Sequence, residues 1–339
     1  MNREMERYSR QVLFSGIKES GQEKLSQSKV LIVGMGALGT AIANHLVRAG
    51  VGLVRLVDRD YVELSNLQRQ MLYDEQDVAD HLPKAEAAKV KLRKMNSSVE
   101  VEASVADVNA NNIMGFIRDI DVVVDGTDNF KTRFLLNDAC FKLGIPFAYG
   151  GVVGSTGLTG MFVPGRTACL SCLIGAGGST GDTCDTVGVI SPIVDIVASL
   201  QCTETLKWLT GNKERLNESL TSLDIWNNRQ HQISILKPKP TCPTCQQQEY
   251  PHLNRSEDET SMLCGRETVQ INHATPMNLE EWHTRLKPVV REVKKTPFLI
   301  RAQLHEGEKL VLFPDGRVLV QGTEEINRAK SLFSRYIGD

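Results

Sequence analysis

Four consecutive apolar residues, Val30-Leu-Ile-Val33, run into Gly34-Met-Gly36-Ala-Leu-Gly39 and then into a stretch of helical spacing that reaches Ala49. A short buried strand, a Gly-x-Gly-x-x-Gly turn and a helix leave few folds open. Glycines let the backbone turn tightly and approach a phosphate, while the helix N-terminus offers free N–H donors and the positive end of a dipole. Asp58 closes the next strand, residues 53–57, 19 residues after Gly39. A carboxylate there can accept hydrogen bonds from ribose hydroxyls. The pattern points to an adenine nucleotide, against the plainer reading of a turn that only packs a helix on a strand. It does not separate a dinucleotide from ATP.

The alternation continues. Residues 84–95 and 113–118 are predicted helical, 99–101 extended and 121–124 a buried strand, followed by a helix over 130–143 and a strand around Phe147. Short apolar runs separated by helices predict a parallel sheet covered on both faces. After Gly150 the character changes. Residues 154–163 begin antiparallel strands, 175–181 form a Gly/Ser-rich loop, and a helix over 191–209 stops at Gly211. Strands are predicted at 222–226 and 232–236. The Lys237-Pro-Lys-Pro240 run and polar residues 246–260 mark a boundary, dividing the chain into 1–248 and 249–339. Beyond it, strands are predicted at 298–304 and 309–313, a hairpin turn at Asp315-Gly316 into 317–320, and an amphipathic helix over 324–336. The expected class is α/β: a Rossmann-like, largely parallel sheet with helices on both faces, continued by antiparallel strands, plus a small C-terminal α+β appendage.

Composition narrows the function. The formal charge is −2 in 339 residues, so there is no basic excess to hold a nucleic acid or an anionic membrane. The most apolar stretch, 187–209, carries Pro192, Asp195, Glu204 and Lys207 and reads as a buried helix, not a membrane span. Residues 1–10 are charged and lack the apolar core of a secretory signal. Eight cysteines in that setting are expected to be thiols or metal ligands, and the compartment to be the cytoplasm.

Chemistry-bearing residues follow Asp58 directly, in Arg59-Asp60 and Ser65-Asn66-Leu67-Gln68-Arg69-Gln70. A hydride-transfer site needs no cation at its cofactor's phosphates, because nothing breaks there. Cleaving a triphosphate does, since charge develops on the departing pyrophosphate. Arg69, as a bidentate fork, and Lys84, as a point charge, can supply it; either could equally be a solvated surface charge. Asp125-Gly-Thr-Asp128-Asn129 ends a buried strand, where ligands of open α/β sheets gather. Asp128 suits Mg²⁺, which joins carboxylate and phosphate oxygens, or caps the helix that follows. Cys169-x-x-Cys172 and Cys242-x-x-Cys245, 69 residues apart, have the composition of a closed structural zinc site, with redox-active pairs as the competing reading.

Taken with Arg7-Tyr-Ser-Arg10-Gln11 and Pro83-Lys84, these motifs closely resemble the MoeB/ThiF (HesA) adenylyltransferases, relatives of the ubiquitin-activating enzymes, over about residues 5–246. The resemblance implies ATP lying across Gly34, Gly36, Ala37 and Gly39, with Asp58 on the ribose and Asp60, Ser65 and Asn129 within the same motifs. It implies Asn66, Gln68, Arg69 and Lys84 on the phosphates, Asp128 on Mg²⁺, and Arg10 reaching the neighbouring active site of a homodimer. Ala37 departs from the family's usual glycine but keeps its backbone N–H. The implied reaction is attack by the terminal glycine carboxylate of a small ubiquitin-like sulfur carrier, MoaD-like or ThiS-like and ending in Gly-Gly, on the α-phosphate of ATP. A sulfur donor then displaces AMP to leave a thiocarboxylate for molybdenum-cofactor or thiamine synthesis. Cys184 matches a position where members carry a cysteine that takes part in thioester or disulfide steps, or is passive. The tail shows no rhodanese-like cysteine loop, so the donor is expected to be a separate protein. Cys140 and Cys202 fall on helical patterns and read as core; Cys264 has no reading. The rival functions are an NAD-dependent oxidoreductase, which would require a proton-relay histidine, and a noncatalytic scaffold for ubiquitin-like proteins.

Overall fold

The computed structural model describes residues 6–174, 187–254, 260–263, 267–273 and 275–338. Backbone contacts divide the chain into two compact units, Met1–Arg255 and Ser256–Asp339. Cys184, residues 175–181 and Cys264 lie outside the described residues.

The first unit opens with a short helical turn, Ser9–Val12, and helix α1 (Lys18–Gln27). Strand β1 (Lys29–Val33) feeds α2 (Ala37–Ala49), which is followed by β2 (Leu53–Asp58), α3 (Lys84–Met95), β3 (Glu100–Val105) and β4 (Val122–Asp125). Then come α4 (Phe130–Leu143), β5 (Phe147–Val153), β6 (Thr156–Phe162), α5 (Ser191–Thr210), β7 (Ser219–Asp224) and β8 (Arg229–Ser234). The strands form one sheet in the order β3-β2-β1-β4-β5-β6-β7-β8. β3 to β5 are mutually parallel, and from β5 onward neighbours pair antiparallel.

β1 shows why the apolar run folds this way. Val30 and Ile32 belong to one buried cluster with α2, α3 and α5, whereas Leu31 and Val33 belong to a second with α4. A strand buried on both faces must be apolar at every position, and only helices on both faces can cover it. β2 and β4 flank β1 on opposite sides, so the chain reverses its direction of travel across the sheet between them. The crevice beyond the C-terminal ends of β1 and β4 is therefore a topological switch point, where open α/β sheets bind ligands.

The β7–β8 pair starts three residues and ends two residues earlier than predicted. β7 and β8 stop at Asp224 and start at Arg229 because the Asp224 carboxylate accepts the N–H groups of Trp226 and Asn227 and closes the turn. Trp226, predicted to end a strand, sits 76% exposed in that turn.

The second unit is an antiparallel sheet in the order β11-β12-β13-β14-β10-β9, formed by β9 (Thr260–Leu263), β10 (Thr268–Asn272), β11 (Glu292–Lys295), β12 (Ile300–Gln303), β13 (Lys309–Leu312) and β14 (Arg317–Gln321). Helices α6 (Leu279–Leu286) and α7 (Ile326–Tyr336) pack on one face, with Leu286, Leu332 and Phe333 meeting Val269, Leu310, Leu312, Val318 and Val320. The strands β9, β10 and β11 and helix α6 have no counterpart among the predicted elements.

No helix among the described residues is long and apolar enough to cross a membrane.

Candidate active site and metal centre

The glycine loop is built by backbone pressed on backbone. Gly34 has φ +90°, and a Cβ there would lie 2.6 Å from the carbonyl oxygen of Gly126. A Cβ on Gly39 would lie 1.8 Å from the Gly34 carbonyl oxygen, and one on Gly126 would lie 2.4 Å from that same oxygen. No side chain could move to relieve these contacts, so β1, the start of α2 and the end of β4 close only over glycine. Gly36 differs: its added Cβ would meet only Gln70 Nε2, at 3.9 Å.

Asp58 ties the loop to β2. Its Oδ2 accepts from the Met35 N–H at 2.5 Å and its Oδ1 from the Asp60 N–H at 2.7 Å. Burial pushes this carboxyl above the usual carboxylate range, and the nearby Lys84 ammonium partly opposes the shift. The segment after β2 bridges to the segment before α3, Tyr61 opposite Pro83, with the Lys84 N–H donating to the Asp60 carbonyl at 2.9 Å. That pairing sets Lys84 Nζ 3.4 Å from Asp60 Oδ2, with the lysine only 3% exposed. The structure thus removes the surface-charge reading for Lys84. Tyr73 binds the two strands of this network together, its hydroxyl within hydrogen-bond reach of the carbonyls of Met35 (2.8 Å) and Lys84 (3.1 Å).

The polar run 65–70 begins inside one turn of tight helix, Leu64–Asn66. Asn66 is buried and reciprocally capped with Glu63, its Oδ1 accepting from the Glu63 N–H. Arg69 is half-buried and donates to the Ser65 carbonyl at 3.0 Å, whereas Ser65 and Gln68 are exposed. Ala37 is the first residue of α2.

Asp128 lies on the adjoining crossover and is exposed. The helix-cap alternative belongs to its neighbour. Asn129 is the N-cap of α4, and its side chain accepts the Thr132 N–H at 2.9 Å. Under this turn sits a buried ion pair that sequence reasoning misses. Arg133 Nε donates to Asp125 Oδ2 at 3.1 Å, with side chains 8% and 0% exposed. Arg133 Nη2 also donates to the carbonyls of Thr127 and Gly150, at 2.7 and 3.1 Å. Asp125 further accepts from the Thr127 N–H and hydroxyl. A lone arginine amid the apolar positions of α4 is the only signal of it in the sequence. Arg10 is exposed on the Ser9–Val12 turn, and no hydrogen bond among the described residues joins it to the loop.

The four cysteines converge as the pairing predicts. Cys169, Cys172, Cys242 and Cys245 place all four Sγ atoms within 4.8 Å of one another. Closest separations are 3.5 Å for Cys169–Cys242, 3.4 Å for Cys172–Cys245 and 3.9 Å for Cys169–Cys172. Zn–S bonds of ~2.3 Å in a tetrahedron require S···S edges of about 3.8 Å, so the donor set and its spacing fit zinc. Buried Asn137 and Asp138 of α4 anchor both knuckles. Asn137 Oδ1 accepts the Leu170 N–H at 2.8 Å, and Asp138 Oδ1 accepts the Thr244 hydroxyl at 2.6 Å. Cys140 and Cys202 are core residues, as expected, and burial raises both thiols well above their ordinary range.

Comparison with known proteins adds four findings. A sequence model of the ThiF family matches residues 8–244. The chain is 48% identical over 336 residues to the sulfur carrier protein ThiS adenylyltransferase of Bacillus subtilis (strain 168), covering 98% of this chain and 99% of that one. It is 35% identical over 266 residues to the adenylyltransferase and sulfurtransferase MOCS3 of Anopheles gambiae, covering 78% of this chain but 59% of that longer one. Among solved structures it resembles E. coli MccB with ATP, at TM-score 0.62 and 25% identity over 70% of this chain and 74% of that one.

Proposed function

The chain belongs to the ThiF family, and from that premise we infer that it is an ATP-dependent adenylyltransferase acting on a ubiquitin-like sulfur carrier. The observation that carries the reading is Lys84, a buried cation held beside the glycine loop. Such a charge has work to do where a triphosphate is cleaved and none where a hydride is transferred. The near full-length likeness to a ThiS adenylyltransferase supports a ThiS-like carrier ending in Gly-Gly as the substrate class, serving thiamine synthesis, with the molybdenum-cofactor carrier as the related alternative.

In this reading one oxygen of the carrier's terminal carboxylate attacks the α-phosphorus of ATP. The new P–O bond forms as the bond to the bridging oxygen breaks, and pyrophosphate leaves with the electron pair. Gly34, whose own N–H is donated to the Val57 carbonyl at 2.8 Å, and Gly39 let the main chain approach the nucleotide. Gly36 and Ala37 bring backbone N–H groups to it, and Asp58 accepts from the ribose. Asn66, Gln68, Arg69 and Lys84 surround the phosphates, with Asp60 holding Lys84 in place and Ser65 holding Arg69. Asp128, beside Asn129, would hold Mg²⁺, which supplies charge neutralisation to the leaving group when bound. Alignment and fixed charge are the protein's contribution; no side chain need become covalently attached. Zinc at the four cysteines is structural, because four thiolates leave no open position.

We place this activity in residues 1–248, with residues 249–339 an extension of unknown role, and assign Arg10 to the partner's site in a homodimer. Cys184 is proposed to serve sulfur transfer after adenylation, from a separate donor protein. The test is isotope exchange between pyrophosphate and ATP in the presence of a Gly-Gly-ended carrier. Exchange that requires the carrier is the expected result; its absence, or reduction of NAD by the chain, overturns the reading.

A further inference from the structure

Two buried glutamines flank the crevice, and both carry an Oε1 atom with no hydrogen-bond partner among the described residues. Gln201 has a structural reason to be there. Its Nε2 donates to the carbonyls of Asp125 and Ala148, at 2.9 and 3.0 Å, and so joins β4 to β5. Gln70 is 3% exposed and shows no such return. Its Nε2 is instead the atom nearest the open side of Gly36, 3.9 Å from where a Cβ would stand.

The backbone that presents this carboxamide is held firmly. The Gln70 N–H donates to the Asn66 carbonyl at 3.0 Å, and the Gln70 carbonyl accepts from the Tyr73 N–H at 3.2 Å. The Tyr73 hydroxyl reaches back to Met35 within the glycine loop itself. A buried Oε1 without a partner is unfavourable in the free protein, and it leaves the carboxamide held only through its backbone, with Nε2 turned to Gly36. A polar group kept in that state and aimed at a helix N-terminus is organised for a ligand. Gly36 is the N-cap of α2, and no side chain caps that helix. The natural guest for a carboxamide N–H and a helix N-terminus together is an anionic oxygen.

We propose that Gln70 is a further substrate-contacting residue of this site, its Nε2–H donating to a non-bridging oxygen of the phosphoryl group under attack. The inference rests on the adenylyltransferase reading and deepens it. A neutral donor suits that position. It stabilises the extra negative charge of the five-coordinate phosphorus, yet does not hold the pyrophosphate product as Arg69 or Lys84 would.

The test compares Gln70→Met, which keeps the shape and removes the donor, with Gln70→Glu, which keeps the shape and adds a negative charge. Pyrophosphate exchange and the melting temperature of the ligand-free protein are measured on the same preparations. The expected result is that Gln70→Met lowers kcat for exchange about 10²-fold, with KM for ATP little changed. Its melting temperature should equal or exceed that of the wild type, because an unpaired buried amide has gone. Gln70→Glu should exchange less than Gln70→Met. Wild-type exchange in Gln70→Met, or a loss of exchange that tracks a fall in melting temperature, would overturn the assignment. Failure of the wild-type chain to exchange would instead sink the adenylyltransferase reading.

Discussion

Replacing Arg133 by methionine should damage this protein more than any single change at its surface, and the damage should depend on pH. The substitution keeps the stem but removes the guanidinium that faces Asp125 at 3.1 Å. It leaves a fully buried carboxylate supported only by the Thr127 N–H and hydroxyl, and strips a donor from the carbonyls of Thr127 and Gly150. Breaking one partner of a buried ion pair costs about 3–5 kcal/mol, and both partners here are below a tenth exposed, so little solvent screening softens it. For a unit of this size about 1 kcal/mol moves the melting temperature by about 2–4 °C, which gives an expected fall of roughly 6–20 °C at pH 7. Burial already raises Asp125 above its ordinary 3.8, with Arg133 pulling it back; removing Arg133 lets the folded-state pKa climb further. A carboxyl that binds its proton more tightly when folded loses stability as pH rises from the unfolded pKa through the folded one. The deficit should therefore shrink on moving from pH 7 towards pH 4. Asp125→Asn combined with Arg133→Met should recover part of the loss. Thermal denaturation followed by circular dichroism across that range is the assay. A variant that melts with the wild type, or whose deficit is the same at both ends of the range, refutes this account of the turn beneath Asp128.

Two further outcomes follow from the site. Asp128→Ala should lower pyrophosphate exchange by about 10²–10³-fold without moving the melting temperature, whereas Asn129→Ala should lose about 1 kcal/mol of stability through the missing cap. Equal melting losses in both would return Asp128 to a capping role. Metal analysis of reduced protein should find one zinc per chain, and chelation or Cys242→Ser should lower the melting temperature. A metal-free chain of undiminished stability would refute a structural zinc.

What the sequence discloses depends on how local the chemistry is. The glycine loop, Asp58 and the paired cysteines carry their meaning in spacing, and helices 37–49, 84–95 and 130–143 match their predicted bounds. Gln70 and Arg133 carry theirs in burial, which only tertiary packing decides. Asp128 and Asn129 are adjacent and equally able to cap a helix, so only geometry could divide the two roles. The second unit was harder for a different reason. β11 is Glu292-Val-Lys-Lys295, mostly exposed and without apolar alternation. It is a strand because β12 offers an edge to pair with, and pairing is invisible to composition. β10 alternates polar and apolar residues, Thr268-Val-Gln-Ile-Asn272, but is short and adjoins a polar boundary.

The Gly-x-Gly-x-x-Gly signature is written as three equal letters, yet the contacts around it sort them into two kinds of heredity. Gly34 and Gly39 answer to the fold, and they answer together with Gly126, just past the end of β4 and 87 positions beyond Gly39. Any side chain at one of them collides with the main chain of another, so no neighbour can mutate to make room and none of the three can drift alone. Gly36 answers only to whatever occupies the crevice, and the molecule without its ligand would tolerate a methyl group there. A lineage that abandoned the reaction would be free to let Gly36 go first, while the other two, with their distant companion, would persist for as long as the sheet did.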